Sequence, residues 1–181
     1  MTSLRIADDV LARHPAASRA PAAHTAAELA RLSQLVRAAG VGGVAIGHGR
    51  HPTSVAAAEA FVDAWTAGGG TVLAVVDWPS EAASWLRPAR RLTSCHPDGW
   101  VIADTPAGCA QVSRRLAAQP EWSASRTFGF GSLASADLVA LAGAATLAGM
   151  TGATGSGGTW RVGHGLLFVN DATPLSGWPG R

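Results

Sequence analysis

The sequence predicts an α/β domain: one doubly wound, mostly parallel sheet with helices on both faces, three layers in all. Three observations carry this. Short apolar runs at 41–47, 72–76, 100–103 and 127–131 alternate with stretches of helical periodicity, the pattern of successive strand–helix–strand units. Several of these runs are apolar along their length, as strands covered on both faces are. With 181 residues, the chain is long enough for one domain with a real core and too short for two full α/β lobes.

The elements follow in order. Residues 1–24 contain Pro15 and Pro21 and read as an arm, with a loosely amphipathic helix over 4–13 and an irregular stretch after it. Residues 25–173 form the α/β domain, and 174–181 a tail. Thr25 can cap a helix in which Leu29, Leu32, Leu35 and Val36 recur at helical spacing and which Gly40 ends. The first strand, 41–47, centres on Val44 and Ile46. Thr53 or Ser54 opens the next helix, with Val55, Ala58, Val62 and Trp65 on one face and Gly68-Gly69-Gly70 as its stop. Strand two is 72–76. Pro88 suits the first turn of the helix before strand three, 100–103, because its missing N–H costs nothing there. A helix over 107–116 precedes strand four, 127–131. Ser132 or Ser135 then caps a long helix of small residues through Leu147. A flexible turn at 152–158 and one or two strands within 160–169 close the domain.

Composition excludes several classes of function. The chain is 48% hydrophobic and 14% charged, which is globular rather than disordered. Its formal charge is +2 and no run of basic residues exceeds two, so no nucleic-acid partner is expected. No apolar segment approaches the ~20 residues a membrane span needs. Asp8 and Asp9 interrupt the start where a secretion signal would be continuously apolar, so a cytoplasmic location is expected. Cys95 and Cys109 have neither C-x-x-C spacing nor a disulfide framework and read as free thiols.

The order of segments resembles the type I periplasmic binding fold, specifically the branched-chain amino acid-type substrate-binding proteins of ABC transporters. The stretches that carry the resemblance are His14-Pro15-Ala16-Ala17-Ser18-Arg19-Ala20-Pro21, AAELARLSQLVRAAGVGGVAIGH, FVDAWTAGGGTVLAVVDWP, RPARRLTSCHPDGWVIA, FGFGSLAS and MTGATGSGGTWRVGHGLLFVNDATP. It runs over residues 14–173 and lies in pattern and order, not in one motif. The resemblance implies a single lobe, the second, of a protein that holds a small molecule between two lobes. The loop after the first strand, Gly47-His48-Gly49-Arg50-His51-Pro52, lacks the aromatic-glycine pair usual in that family. The ligand-binding domain of LacI-type repressors shares the fold.

In open α/β sheets, ligands sit beyond the carboxyl ends of the strands, near a switch in strand order. Those ends supply the candidate ligand-binding residues: His48, Arg50 and His51; Asp77 and Trp78; Asp104 and Thr105; and Ser132. Two imidazoles and a guanidinium on a glycine-flanked loop can grip a carboxylate or phosphate. Trp78 offers a stacking surface. Asp104 can contact a ligand or cap the following helix. His48 and His51, completed by His164 or Asp104, are a possible zinc set, but no further ligand stands at a recognisable spacing and no metal is expected.

No G-x-S-x-G elbow, no complete G-x-G-x-x-G and no evident acid/base carboxylate pair is present, so neither a cofactor nor catalytic residues are assigned. Trp65 and Trp100 read as core, and Trp85, Trp122, Trp160 and Trp178 as edge residues. The nearly uncharged stretch 135–147 predicts deep burial or an interface, with a second copy or a partner protein. The favoured function is small-molecule binding or sensing. The alternatives are an enzyme using His48 or His51 as acid/base, and a partner-binding remnant without a ligand.

Overall fold

The computed structural model describes residues 5–82 and 84–172; the tail from 174 onward, with Trp178, lies outside them. Its helices are α1 (Asp8–Ala12), α2 (Ala26–Ala38), α3 (Pro52–Ala67), α4 (Leu86–Thr93), α5 (Pro106–Leu116) and α6 (Ala136–Ala142). The strands β1 (Gly43–Gly49), β2 (Thr71–Trp78), β3 (Gly99–Ala103), β4 (Thr127–Gly129), β5 (Thr151–Ala153), β6 (Thr159–Gly163) and β7 (Leu166–Asn170) form one seven-stranded sheet. Their order is β2-β1-β3-β4-β5-β6-β7, parallel from β2 through β5 and antiparallel at β5–β6 and β6–β7. The expected doubly wound, mostly parallel sheet is therefore what the chain forms.

Two cores flank the sheet. On one face α2 and α3 pack Leu32, Val36, Phe61 and Trp65 onto Val44, Ile46, Val101 and Phe128. On the other, α4, α5 and α6 pack Leu92, Val112, Leu116, Leu138 and Leu141 with Trp78, Trp100, Ile102 and Trp160. Successive β1 side chains alternate between the two cores, Val44 and Ile46 to one and Ala45 to the other, which is why 43–47 is apolar or glycine. At the start of β1, the Asp98 carboxylate accepts from the Gly42 and Gly43 N–H groups, and these two bonds hold its pKa below the ordinary 3.8.

Several elements differ from expectation. Trp85 and Trp160, expected at edges, are buried in the α4–α5–α6 core; both are large enough to fill the space beneath a short helix and a turn. The helix expected over 135–147 stops at Ala142, because Gly143 takes a left-handed φ of 91°. Thr151–Ala153, expected as a turn, is the last parallel strand; three residues carry too little pattern to mark one. Helix α3 begins at Pro52 with His51 at its cap, one residue earlier than Thr53.

The arm is not separate from the domain. Ile6 and Ala17 are buried in the α5 core, the Ile6 N–H donates to Gln111 Oε1, and His14 Nδ1 meets Asp137 Oδ1 at 2.8 Å. At the start of α2, Thr25 and Glu28 form the reciprocal cap expected of T-x-x-E. The Thr25 hydroxyl also donates to the Gly155 carbonyl at 2.7 Å. Thr25→Ala is expected to cost about 1 kcal/mol, read as a lower urea midpoint with an unchanged slope.

Candidate functional site

Strand order reverses between β1 and β3: α3 leaves β1 on one face, and α5 leaves β3 on the other. Their diverging first turns open a crevice at the carboxyl edge of the sheet. Two cavities lie in it and share Asp104. The larger, about 330 Å³, lies toward α2 and α3 between the arm and the ends of β3 and β4, with Phe130, Ala57, Ala103 and Pro21 as apolar walls. The smaller, about 290 Å³, lies between the β1–α3 and β3–α5 loops, against Arg50, His51, Thr105 and Gly108.

Asp104 is the centre of this arrangement, and the sequence around it makes the room it occupies. Its carboxylate accepts from Trp78 Nε1 at 2.6 Å and from the Thr105 N–H at 2.7 Å. A Cβ on Gly49 or on Gly108 would stand 2.0 Å from one of its oxygens. On Gly47, a Cβ would stand 2.7 Å from the Trp78 ring. Three glycines thus clear the space for one acid and the indole that holds it. Among the described residues, no cation pairs with this carboxylate. Burial raises its pKa from the ordinary 3.8 to about 6, against the opposing pull of the Trp78 and Thr105 hydrogen bonds.

Each predicted residue has a definite place. Trp78 offers no stacking surface: it is fully buried and turned toward Asp104. Thr105, not Asp104, caps α5, accepting from the Gly108 N–H through its hydroxyl, and it lines the smaller cavity. Ser132 lines the larger cavity and donates to the Asp104 carbonyl at 2.9 Å.

The cluster of His48, Arg50 and His51 does not converge. His48 Nδ1 is 2.9 Å from the Gly49 carbonyl, and the ring lies along α3 beside Val75, away from both cavities. Arg50 reaches across to Asp77 at 2.6 Å, and this bond, opposed by partial burial, holds the Asp77 pKa below 3.8. Both partners are largely exposed, so the pair contributes about 1 kcal/mol or less. His51 sits at the mouth of the smaller cavity, with Nδ1 3.2 Å from Thr53 Oγ1. His164 occupies the β6–β7 turn at a φ of 51°. Among the described residues, no group of three His, Cys, Asp or Glu side chains gathers as a metal site.

Three residues of the larger cavity were not among the predicted ones. Glu28 is buried, and its two oxygens accept from the Thr25 and Gly131 N–H groups, tying α2 to the end of β4. Ser54 is buried, and its hydroxyl has no partner among the described residues. His24 meets Phe130 edge-on at 6.1 Å. The T-x-x-E spacing was the readable signal for Glu28; Ser54 and His24 have none, because only the fold brings them beside β3. The thiols are no part of the site: Cys109 is buried within α5, and burial pushes its pKa up to about 12.

No family model and no curated protein matches the chain. Solved structures do. A branched-chain amino acid ABC transporter periplasmic ligand-binding protein from Burkholderia xenovorans aligns over 69% of this chain and 33% of its own length, with a TM-score of 0.58 at 16% identity. An ABC transporter solute-binding protein from R. palustris, in complex with 4-hydroxybenzoate, aligns over 69% and 34%, with a TM-score of 0.59 at 16% identity. An extracellular ligand-binding receptor from Verminephrobacter eiseniae aligns over 69% and 35%, with a TM-score of 0.57 at 21% identity. The match thus spans about a third of each of these proteins. The chain has the fold of a single lobe of the periplasmic binding proteins.

Proposed function

We propose that this chain is a small-molecule binding module whose site is the crevice around Asp104, and that it works in association with a second copy or a partner. The observation that carries the reading is the larger cavity at the carboxyl ends of β3 and β4: apolar walls and, among the described residues, a buried hydroxyl with no partner and, where it meets the smaller cavity, a buried carboxyl group with no counter-cation. Its volume is at the small end of ligand sites. No Lys or Arg lines it, and its acidic side chains are Asp104 and Glu28. It therefore favours a neutral or positively charged polar head on a compact apolar body over an anion.

A thermal-shift panel of α-amino acids, primary amines and hydroxylated aromatic acids tests this. A compound that occupies the native state raises the melting temperature. That rise is expected to shrink strongly in Asp104→Ala. The reading fails if no class shifts the wild type, or if the shift is equal in the variant.

A further inference from the structure

Beside the two cavities of the crevice lies a third, about 710 Å³ in volume, and Ser18, Ser80 and Ala107 line both it and the smaller one. It is bounded by the arm helix α1, the loop after β2 and one face of α5. Ala107 and Gln111 are four residues apart on α5, so both belong to that face. Asp104 stands just before the helix cap Thr105, and Gln111 lies about 9 Å beyond that cap at the helical rise of 1.5 Å per residue. The three cavities thus follow one another along the start of α5, with Asp104 shared by the larger and the smaller.

Gln111 is the polar group that marks the third cavity. Its side chain is buried, the residue being 4% exposed, and its Oε1 accepts the Ile6 N–H at 3.1 Å. That bond fixes which end of the amide faces the arm. The other end, Nε2, has no partner among the described residues and keeps contact with the open cavity. A buried amide N–H without an acceptor is costly, and a ligand that brings a carbonyl removes the cost. The charged groups at the border are Arg5 and Asp8, paired at 2.8 Å, and Glu81. One cation against two carboxylates favours a neutral carbonyl there over a free carboxylate. Leu11, Ala82 and Trp85 add apolar wall.

We propose that the ligand of this crevice is a short peptide with a free amino terminus, held at its ammonium group by Asp104 and at a main-chain carbonyl by the Gln111 amide. Its first side chain fills the larger cavity, whose apolar walls and volume suit one such group. Its main chain leaves through the smaller cavity, past Ser18 and Ser80, into the third. An extended chain advances about 3.3–3.6 Å per residue. Two to three residues therefore reach from Asp104 to Gln111, and a single amino acid stops short. The inference rests on the reading of the crevice above and adds the ligand class to it.

Isothermal titration calorimetry on the intact chain tests it with leucine amide, leucyl-alanyl-alanine amide and the N-acetylated form of that tripeptide amide. The tripeptide amide is expected to bind about tenfold more tightly than leucine amide, and acetylation should abolish its binding. Gln111→Glu keeps an acceptor for the Ile6 N–H but removes the donor. It should weaken the tripeptide amide about tenfold and leave leucine amide unchanged. Ser80→Phe, at an exposed position beside the passage, should do the same by blocking it, so the test does not hang on one variant folding. If leucine amide binds and the tripeptide amide binds no more tightly, the peptide inference is overturned while the crevice reading stands. Tight tripeptide binding that survives acetylation, or that neither variant weakens, overturns the placement at Asp104 and Gln111. Binding of neither amide overturns the inference as well, and the crevice reading is then decided by the thermal-shift panel alone.

Discussion

Gly108→Ala is expected to destabilise the fold by about 2–3 kcal/mol, although alanine is the better helix former by about 1 kcal/mol in an ordinary helix position. The reason is local to the site. The added Cβ would stand 2.0 Å from an Asp104 oxygen, and that carboxylate cannot swing aside while Trp78 and the Thr105 N–H hold it. In a domain of this size the loss lowers the melting temperature by roughly 5–10 °C. A double-mutant cycle separates this account from a general intolerance of the helix. Asp104→Ala alone leaves the Trp78 indole N–H without its acceptor and costs about 1–3 kcal/mol. In that background, the Gly108→Ala penalty should largely vanish, because the atom it collides with is gone. Additive penalties would show that Gly108 is needed for a reason other than room for the acid.

The same cluster marks where the sequence was readable and where it was not. The βαβ alternation, the cap at Thr25 and the glycine stop after α3 are local signals, and each produced the element it predicts, whereas the cap of α5 is Thr105, one residue past the expected Asp104. The end of β3 was legible as a candidate site because Asp104 follows an apolar run, and a charge at a strand's carboxyl end is visible in one dimension. Its neighbours were not. Trp78 lies 26 residues away and reads as an exposed aromatic beside Pro79, whereas the parallel pairing of β2 with β1 brings it inward beneath Gly47. His48, Arg50 and His51 failed as a cluster for the complementary reason. His48 is still within β1 and shares the face of Val44 and Ile46 toward α3, whereas Arg50 lies in the turn beyond the strand's end and reaches across to Asp77. The short strand β5 and the buried Trp85 and Trp160 depend on packing that no periodicity of three to five residues encodes.

Stability should fall as pH rises from about 4 to above 6, and Asp104 should be responsible. Its pKa in the folded chain is about 6, against the ordinary 3.8 that applies when the chain is unfolded. Between those values the native state holds a proton that the unfolded state has lost, so unfolding becomes easier with each increment of pH and levels off above 6. The limit of the effect is about 3 kcal/mol. Asp77 and Asp98 act in the other direction: both have lowered pKa values, so their contribution is present above the unfolded carboxylate range and lost as pH falls through it. Maximum stability is thus expected close to pH 4.5, where Asp104 is still protonated and the other two are ionised. Asp104→Asn should remove the downward slope between 4.5 and 7. It should also lower stability overall, because the Trp78 and Thr105 donors each face a carboxyl oxygen and an amide can accept through only one. A wild-type melting temperature that stays flat or rises over that interval would mean that water or a neighbouring group already compensates the charge. The cavity would then no longer favour a cationic head. If the slope is found, binding of a cationic ligand should strengthen as pH rises through 6, the reverse of the trend in stability. The two measurements together would locate the proton on Asp104.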